Sequence, residues 1–138
     1  GRDLDARSEM LMASMMGAVA FQKDLGAVHS CAHALSTVND LHHGLANGVM
    51  IDHVMRFNRS AAASKMDELA RVAEETDFIE RLVRLKDELG IPARLGPLGV
   101  NDAHVSRLVD VAEKDTCHQT NPRPCTRGDF EQLFRAAL

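Results

Sequence analysis

The sequence predicts an all-α fold, a bundle of about seven helices. Three observations carry that prediction. Apolar residues recur at helical spacing through most of the chain. No stretch alternates apolar and polar residues with the β-branched enrichment of a strand. The apolar runs are separated by Asn, Asp, Thr and Gly, the residues that start and stop helices. Trp and Tyr are absent and 7 Met are present, so the core is expected to be aliphatic and Met-filled, which suits helix-on-helix packing.

The first helix is expected from Asp5 to near Phe21. It is apolar nearly all round after Glu9, which predicts a central position. Lys23–Gly26 breaks the chain, and a second helix follows from Ala27 to near Thr37. Asn39-Asp40 marks a turn. A third helix runs from about His42 to Phe57, with Leu45, Val49, Met50, Val54 and Phe57 on its apolar face. Ser60 is the candidate cap of a helix reaching about Glu75. Thr76 or Asp77 caps the next, which ends at Gly90. Residues 91–99 form a loop, and Asn101 or Asp102 caps a helix carrying Val105, Leu108, Val109 and Ala112. Residues 116–127 read as an irregular polar loop, after which Thr126 caps the last helix.

A chain of 138 residues fits one domain and is long enough to bury a core. The 16 basic and 20 acidic residues are interspersed, with no basic stripe, so no nucleic-acid partner is expected. No segment approaches the roughly 18 consecutive apolar residues of a membrane span, so no membrane partner is expected. The cysteines, Cys31, Cys117 and Cys125, have no paired spacing, which points to free thiols and a cytoplasmic location. The chain starts at Gly1, without Met, and Gly1 reads as a remnant of tag removal from an excised piece of a longer protein.

Chemistry concentrates in VHSCAHALSTVNDLHHG, residues 28–44, which hold four of the 7 histidines. His29 and His33 are one helical turn apart and share a face, the geometry of helical metal-binding pairs. The intervening residues are Ser30, Cys31 and Ala32, so the HExxH motif with its glutamate base is absent. His42 and His43 diverge by about 100° on a helix, so one of the two is spare. A catalytic metal needs at least three protein ligands, and here only His29 and one member of the doublet are candidates to converge. Asp40 reads as a turn-former and Asp52 as an exposed helix residue. Spacing alone leaves a metal site and a set of metal-free histidines both open.

Beyond single motifs, GAVHSCAH, HHGLAN and DHVMRFN (residues 26–33, 42–47 and 52–58) resemble the iron-containing alcohol dehydrogenase family, with its V-H-x-x-x-H and H-G-x-x-N elements. LGIPARLGPLGVNDAHVSRL (89–108) and NPRPCTRGDFEQLFRAAL (121–138) extend the resemblance in order along essentially the whole chain. The resemblance implies the C-terminal part of a helical metal-binding domain in an NAD(P)-linked alcohol/aldehyde oxidoreductase. It implies that His29 and His43 are two of four metal ligands, for Fe²⁺ or Zn²⁺. It places His33 beside substrate and nicotinamide, Cys117 near the metal pocket, and gives His42 no ligand role. It implies a small alcohol or aldehyde substrate and a homo-oligomer. The family's glycine-rich dinucleotide-binding domain is not in these 138 residues, nor are its aspartate and third histidine ligand, so the chain alone is expected to hold metal weakly and to be inactive. Ala34 and Ser36 stand where the family often has Pro and Gly, and FQKDLG is one residue shorter than in many members. Two other readings are an inert bundle serving as a structural or oligomerisation module, and a piece of a glycerol-dehydrogenase-like or dehydroquinate-synthase-like relative. The helix around Met10–Ala20 is expected to expose apolar surface and to drive self-association.

Overall fold

The computed structural model describes residues 1–138 and contains seven α-helices and no strand. They are α1 (Leu4–Ala20), α2 (Ala27–Asn39), α3 (His43–Asn58), α4 (Ala63–Val72), α5 (Phe78–Glu88), α6 (Asp102–Lys114) and α7 (Arg127–Ala137). Short 3₁₀ turns occupy Phe21–Lys23, Gly96–Leu98 and Thr116–Thr120. No helix is long and apolar enough to cross a membrane.

Side chains that satisfy orphan backbone groups set most helix starts. Asp77 accepts from the amides of Ile79 and Glu80 at the start of α5. Asn101 and Thr126 build capping boxes at α6 and α7. Asp40, at φ 54°, ends α2 in the left-handed region, and Gly90, at φ 68°, follows α5. Ser60 does not cap α4. The turn after α3 continues through Ala61 and Ala62, whose amides both bond to the Asn58 carbonyl, and α4 starts only at Ala63.

The core lies where α2 packs on α3 and α6, with α7 closing against α6 and α3. Phe130, Phe134, Leu35, Met50, Leu95 and Leu108 fill it without gaps to solvent. Leu95 is drawn in from the 91–99 loop because its amide donates to the Ala137 carbonyl at 2.7 Å. α4 and α5 form an outer pair, and α5 is fixed to α3 by a buried ion pair between Lys86 and Asp52. Asp52 is therefore buried rather than exposed as its helix position predicts; its partner arrives from 34 residues away, where no local pattern reports it. Desolvating both charges offsets much of their attraction, so the pair sets the register of α5 on α3 more than it adds stability.

α1 is not central. None of its residues is buried, and Met10, Leu11, Met16 and Val19 stand exposed. The 3₁₀ turn and Asp24, at φ 76°, carry it away from a core already filled by α2, α3, α6 and α7.

The start of α2 has no capping side chain of its own, because its N-cap is Gly26. Asn121 supplies the cap from 94 residues away, its Oδ1 accepting the Ala27 amide at 3.2 Å. A Cβ at Gly26 would lie 3.1 Å from that oxygen and push it back by a few tenths of an ångström, so the close approach favours glycine. Asn121 and Asn58 exchange carboxamide bonds at 3.0 and 2.7 Å, which ties the end of α3 to the same point. Asn121 Nδ2 also donates to the Arg123 carbonyl, and the Arg123 guanidinium stacks 3.8 Å from the Phe57 ring centre.

Replacing Asn121 by Ala strands the Ala27 amide and the Asn58 carboxamide in a buried site, at about 1–3 kcal/mol for each unsatisfied group. Asn121→Ala is predicted to lose about 3 kcal/mol of stability in urea unfolding without a change in the denaturant slope. A loss below about 1 kcal/mol would contradict the capping role.

Candidate metal centre

α2 and α3 pack against each other and are joined by a short turn, and His43, at the start of α3, lies beside the histidines of α2. The rings of His29 and His33 project from successive turns of α2, with centres 6.0 Å apart. His43, the first residue of α3, completes a triangle, 5.4 Å from His29 and 5.1 Å from His33. His42 is the residue before α3 and stays exposed, its ring lying over Gly44. The structure thus brings together three of the four clustered histidines and leaves His42 out.

His29 makes no hydrogen bond to protein, and its pKa is lowered, first by burial and then by the neighbouring His43 and His33. It is therefore neutral at pH 7 with a lone pair to offer, the state that ligates metals. His43 Nε2 lies 3.1 Å from Asn47 Nδ2, which also donates to the His43 carbonyl at 2.9 Å. An amide N–H only donates, so that ring nitrogen accepts; Asn47 Oδ1 is left buried without a partner beside it. His29 and His43 line a groove of about 680 Å³, whose apolar wall includes Val28, Ile51, Met55 and Met66.

His33 has a different setting. Its Nδ1 is 2.8 Å from Asp115 Oδ2, while Asp115 Oδ1 accepts from Ser30 Oγ and from the Cys117 amide, each at 2.8 Å. Burial pushes the Asp115 carboxyl up, but the bonds from His33, Ser30 and Cys117 outweigh burial and hold it well below the usual carboxylate range. An ionised carboxylate can only accept, so His33 Nδ1 carries a proton, which in the neutral ring leaves Nε2 as the acceptor. The Cys117 thiol is pushed up to about 11 by burial and by Asp115. Cys31 and Cys125 are also unpaired, so all three cysteines are free thiols.

Asp115, Ser30 and Asn47 were not singled out by sequence. Asp115 ends α6, 82 residues from His33, and only the packing of α6 on α2 joins them. Ser30 and Asn47 carry weak local signals, the first one turn before His33 and the second the closing residue of H-G-x-x-N.

Known proteins place this helical unit. A sequence model of the Fe-containing alcohol dehydrogenase family, C-terminal part, matches residues 1–138. The chain belongs to the iron-containing alcohol dehydrogenase family. It is 34% identical to 4-hydroxybutyrate dehydrogenase of Cupriavidus necator and 35% identical to 1,3-propanediol dehydrogenase of Citrobacter freundii. Each match takes in 100% of this chain but 39% of the relative, so the chain spans about two fifths of those proteins' length. The solved structure of a 1,3-propanediol oxidoreductase superposes with a TM-score of 0.95 at 32% identity, over 99% of this chain and 39% of that one. An alcohol dehydrogenase from Oenococcus oeni gives 0.94 at 28% identity, over 100% and 39%. Family and all-helical fold agree with the reading from sequence.

The Asp115 bonds make a pH prediction. A carboxyl whose pKa is depressed by folding contributes stability that is full above its unfolded value, about 3.9, and is lost as pH falls toward the folded value. The stability gap between the native chain and Asp115→Asn is therefore predicted to be constant from pH 7 to about pH 5 and to shrink below about pH 4. A gap that is flat or widens down to pH 3 in urea unfolding would contradict it.

Proposed function

We propose that this chain is the C-terminal metal-binding part of an NAD(P)-linked, metal-dependent alcohol dehydrogenase that interconverts small alcohols and aldehydes. The observation that carries the proposal is the convergence of His29 and His43, from two different helices, on an apolar groove that both line. The donor set fits half of a metal site. Two imidazoles face one another, one of them neutral and unbonded, whereas a catalytic metal takes at least three protein ligands. The remaining donors are assigned to sequence outside these 138 residues. Imidazole donors suit Fe²⁺ and Zn²⁺ alike.

When bound in the complete enzyme, the metal would supply Lewis acidity and the nicotinamide would supply hydride chemistry. This chain's residues do the rest. His29 and His43 hold the metal, and Asn47 steadies the His43 ring until its nitrogen is required. His33, oriented by Asp115, keeps Nε2 as a proton acceptor one turn from His29 and takes up or returns the hydroxyl proton. Val28, Ile51, Met55 and Met66 line the same groove with apolar surface.

In the longer protein, His29→Ala and His43→Ala are expected to lose stoichiometric metal together with activity. His33→Ala is expected to keep the metal and lose about 10²–10⁴-fold in kcat. Metal retained in both ligand variants, measured by elemental analysis, would sink the assignment. The 138-residue chain by itself is expected to show no NAD(P)-dependent alcohol oxidation.

We place the complete enzyme in the cytoplasm, in keeping with three free cysteines, and read it as a homo-oligomer. For this chain, the apolar surface of α1 predicts self-association, with light scattering showing species larger than 15.1 kDa at micromolar concentration. A monodisperse monomer would contradict that. The inert-bundle reading accounts for neither the three convergent rings nor the held state of Asp115.

A further inference from the structure

We propose that His33, Asp115 and Cys117 form a second metal site, distinct from the His29–His43 pair and selective for a borderline-soft divalent cation such as Zn²⁺. One donor atom from each of the three lies within 4.8 Å of the others, and all three residues are partly buried. The donors are an imidazole, a carboxylate and a thiol, so the set differs in kind from the two imidazoles next to it. Zinc takes such mixed tetrahedral sets with bonds of about 2.0–2.3 Å, which places donor atoms on the order of 3.5 Å apart.

The site is built as well as close. Asp115 Oδ1 is fixed by Ser30 Oγ and by the Cys117 amide, so the carboxylate and the cysteine backbone hold each other in place. Oδ2 faces His33 Nδ1 at 2.8 Å and keeps a lone pair for an ion. Supporting bonds of this kind orient ligands in established metal sites. Partial exposure leaves a fourth position for water. A thiolate donor biases the choice toward Zn²⁺ and away from hard cations such as Mg²⁺.

The protons balance simply. On binding, the Cys117 thiol releases its proton to solvent and the sulfur becomes a thiolate ligand. The His33 ring proton moves through water from Nδ1 to Nε2, and Nδ1 takes the metal where it had donated to Asp115. On the reading that His33 serves proton transfer, this binding withdraws it, and Zn²⁺ acts as an inhibitor of the longer enzyme. The binding test below does not depend on that reading.

Co²⁺ is the probe, because a cobalt–thiolate bond gives a near-ultraviolet charge-transfer band that imidazole and carboxylate ligands do not. Titrating the chain with Co²⁺ alone is expected to develop this band to saturation at one equivalent. Cys117→Ser is expected to abolish it, and His33→Ala and Asp115→Asn to weaken binding at least tenfold. The double variant His29→Ala/His43→Ala is expected to keep the band. Absence of the band at saturating Co²⁺, an undiminished band in Cys117→Ser, or its loss in the double variant with native helicity would overturn the site. Zn²⁺ protection provides a check without variants. Alkylation of Cys117, followed by peptide mass spectrometry, is expected to slow at least tenfold with Zn²⁺ while Cys125 is unaffected; unchanged alkylation of Cys117 would overturn the proposal.

Discussion

The Asn121 carboxamide caps α2 at the Ala27 amide, exchanges bonds with Asn58 at the end of α3, and fixes the Arg123 carbonyl of its own loop. The histidine cluster depends on this node. His29 and His33 ride on the first two turns of α2, and His43 opens α3, so any play between the two helices would separate the rings. Three sequence motifs meet at the node: Gly26 before V-H-x-x-x-H, Asn58 closing D-H-V-M-R-F-N, and Asn121 opening N-P-R. Their common purpose is scaffolding. The glycine admits the asparagine oxygen, and the arginine stacks on Phe57 and reaches Asp129 at 3.2 Å.

Charge organises what the node positions. Three imidazoles within about 6 Å of one another cannot all be protonated at low cost, and burial with mutual repulsion keeps His29 neutral. Asp115 meets the opposite requirement on the far side of His33. Held ionised by three donors, it fixes one ring nitrogen as a donor and leaves the other as an acceptor. The cluster therefore divides into a pair with lone pairs to give, His29 and His43, and a third ring committed to a carboxylate. This division is geometric evidence against the cluster being a mere accumulation of surface histidines.

Much of the fold was legible in the sequence because its signals are local. Helical spacing of Val105, Leu108, Val109 and Ala112, and the caps at Asp77, Asn101 and Thr126, each involve residues within a turn or two of one another. The histidine triangle was half legible. One-turn spacing joins His29 to His33, but the choice of His43 over His42 came from the family resemblance and not from periodicity. What escaped has long sequence separation. Asp52 is buried because Lys86 reaches it, Asp115 belongs to the site because α6 lies on α2, and the N-cap of α2 comes from Asn121. Ser60 misled for the converse reason: a good capping residue stands where the Asn58 carbonyl already holds the turn. α1 misled because an apolar surface all round marks a helix that needs partners without saying where they are.

The central claim is that these residues supply two of the ligands of one metal and that the rest come from elsewhere in the longer protein. Anomalous X-ray scattering from crystals of that protein, loaded with Fe²⁺ or Zn²⁺ at one equivalent, measures this directly. The account predicts one principal metal peak bonded to a ring nitrogen of His29 and of His43 and to two further side chains outside residues 1–138. A principal peak bonded to neither histidine, or one whose protein ligands all lie within these residues, would contradict it.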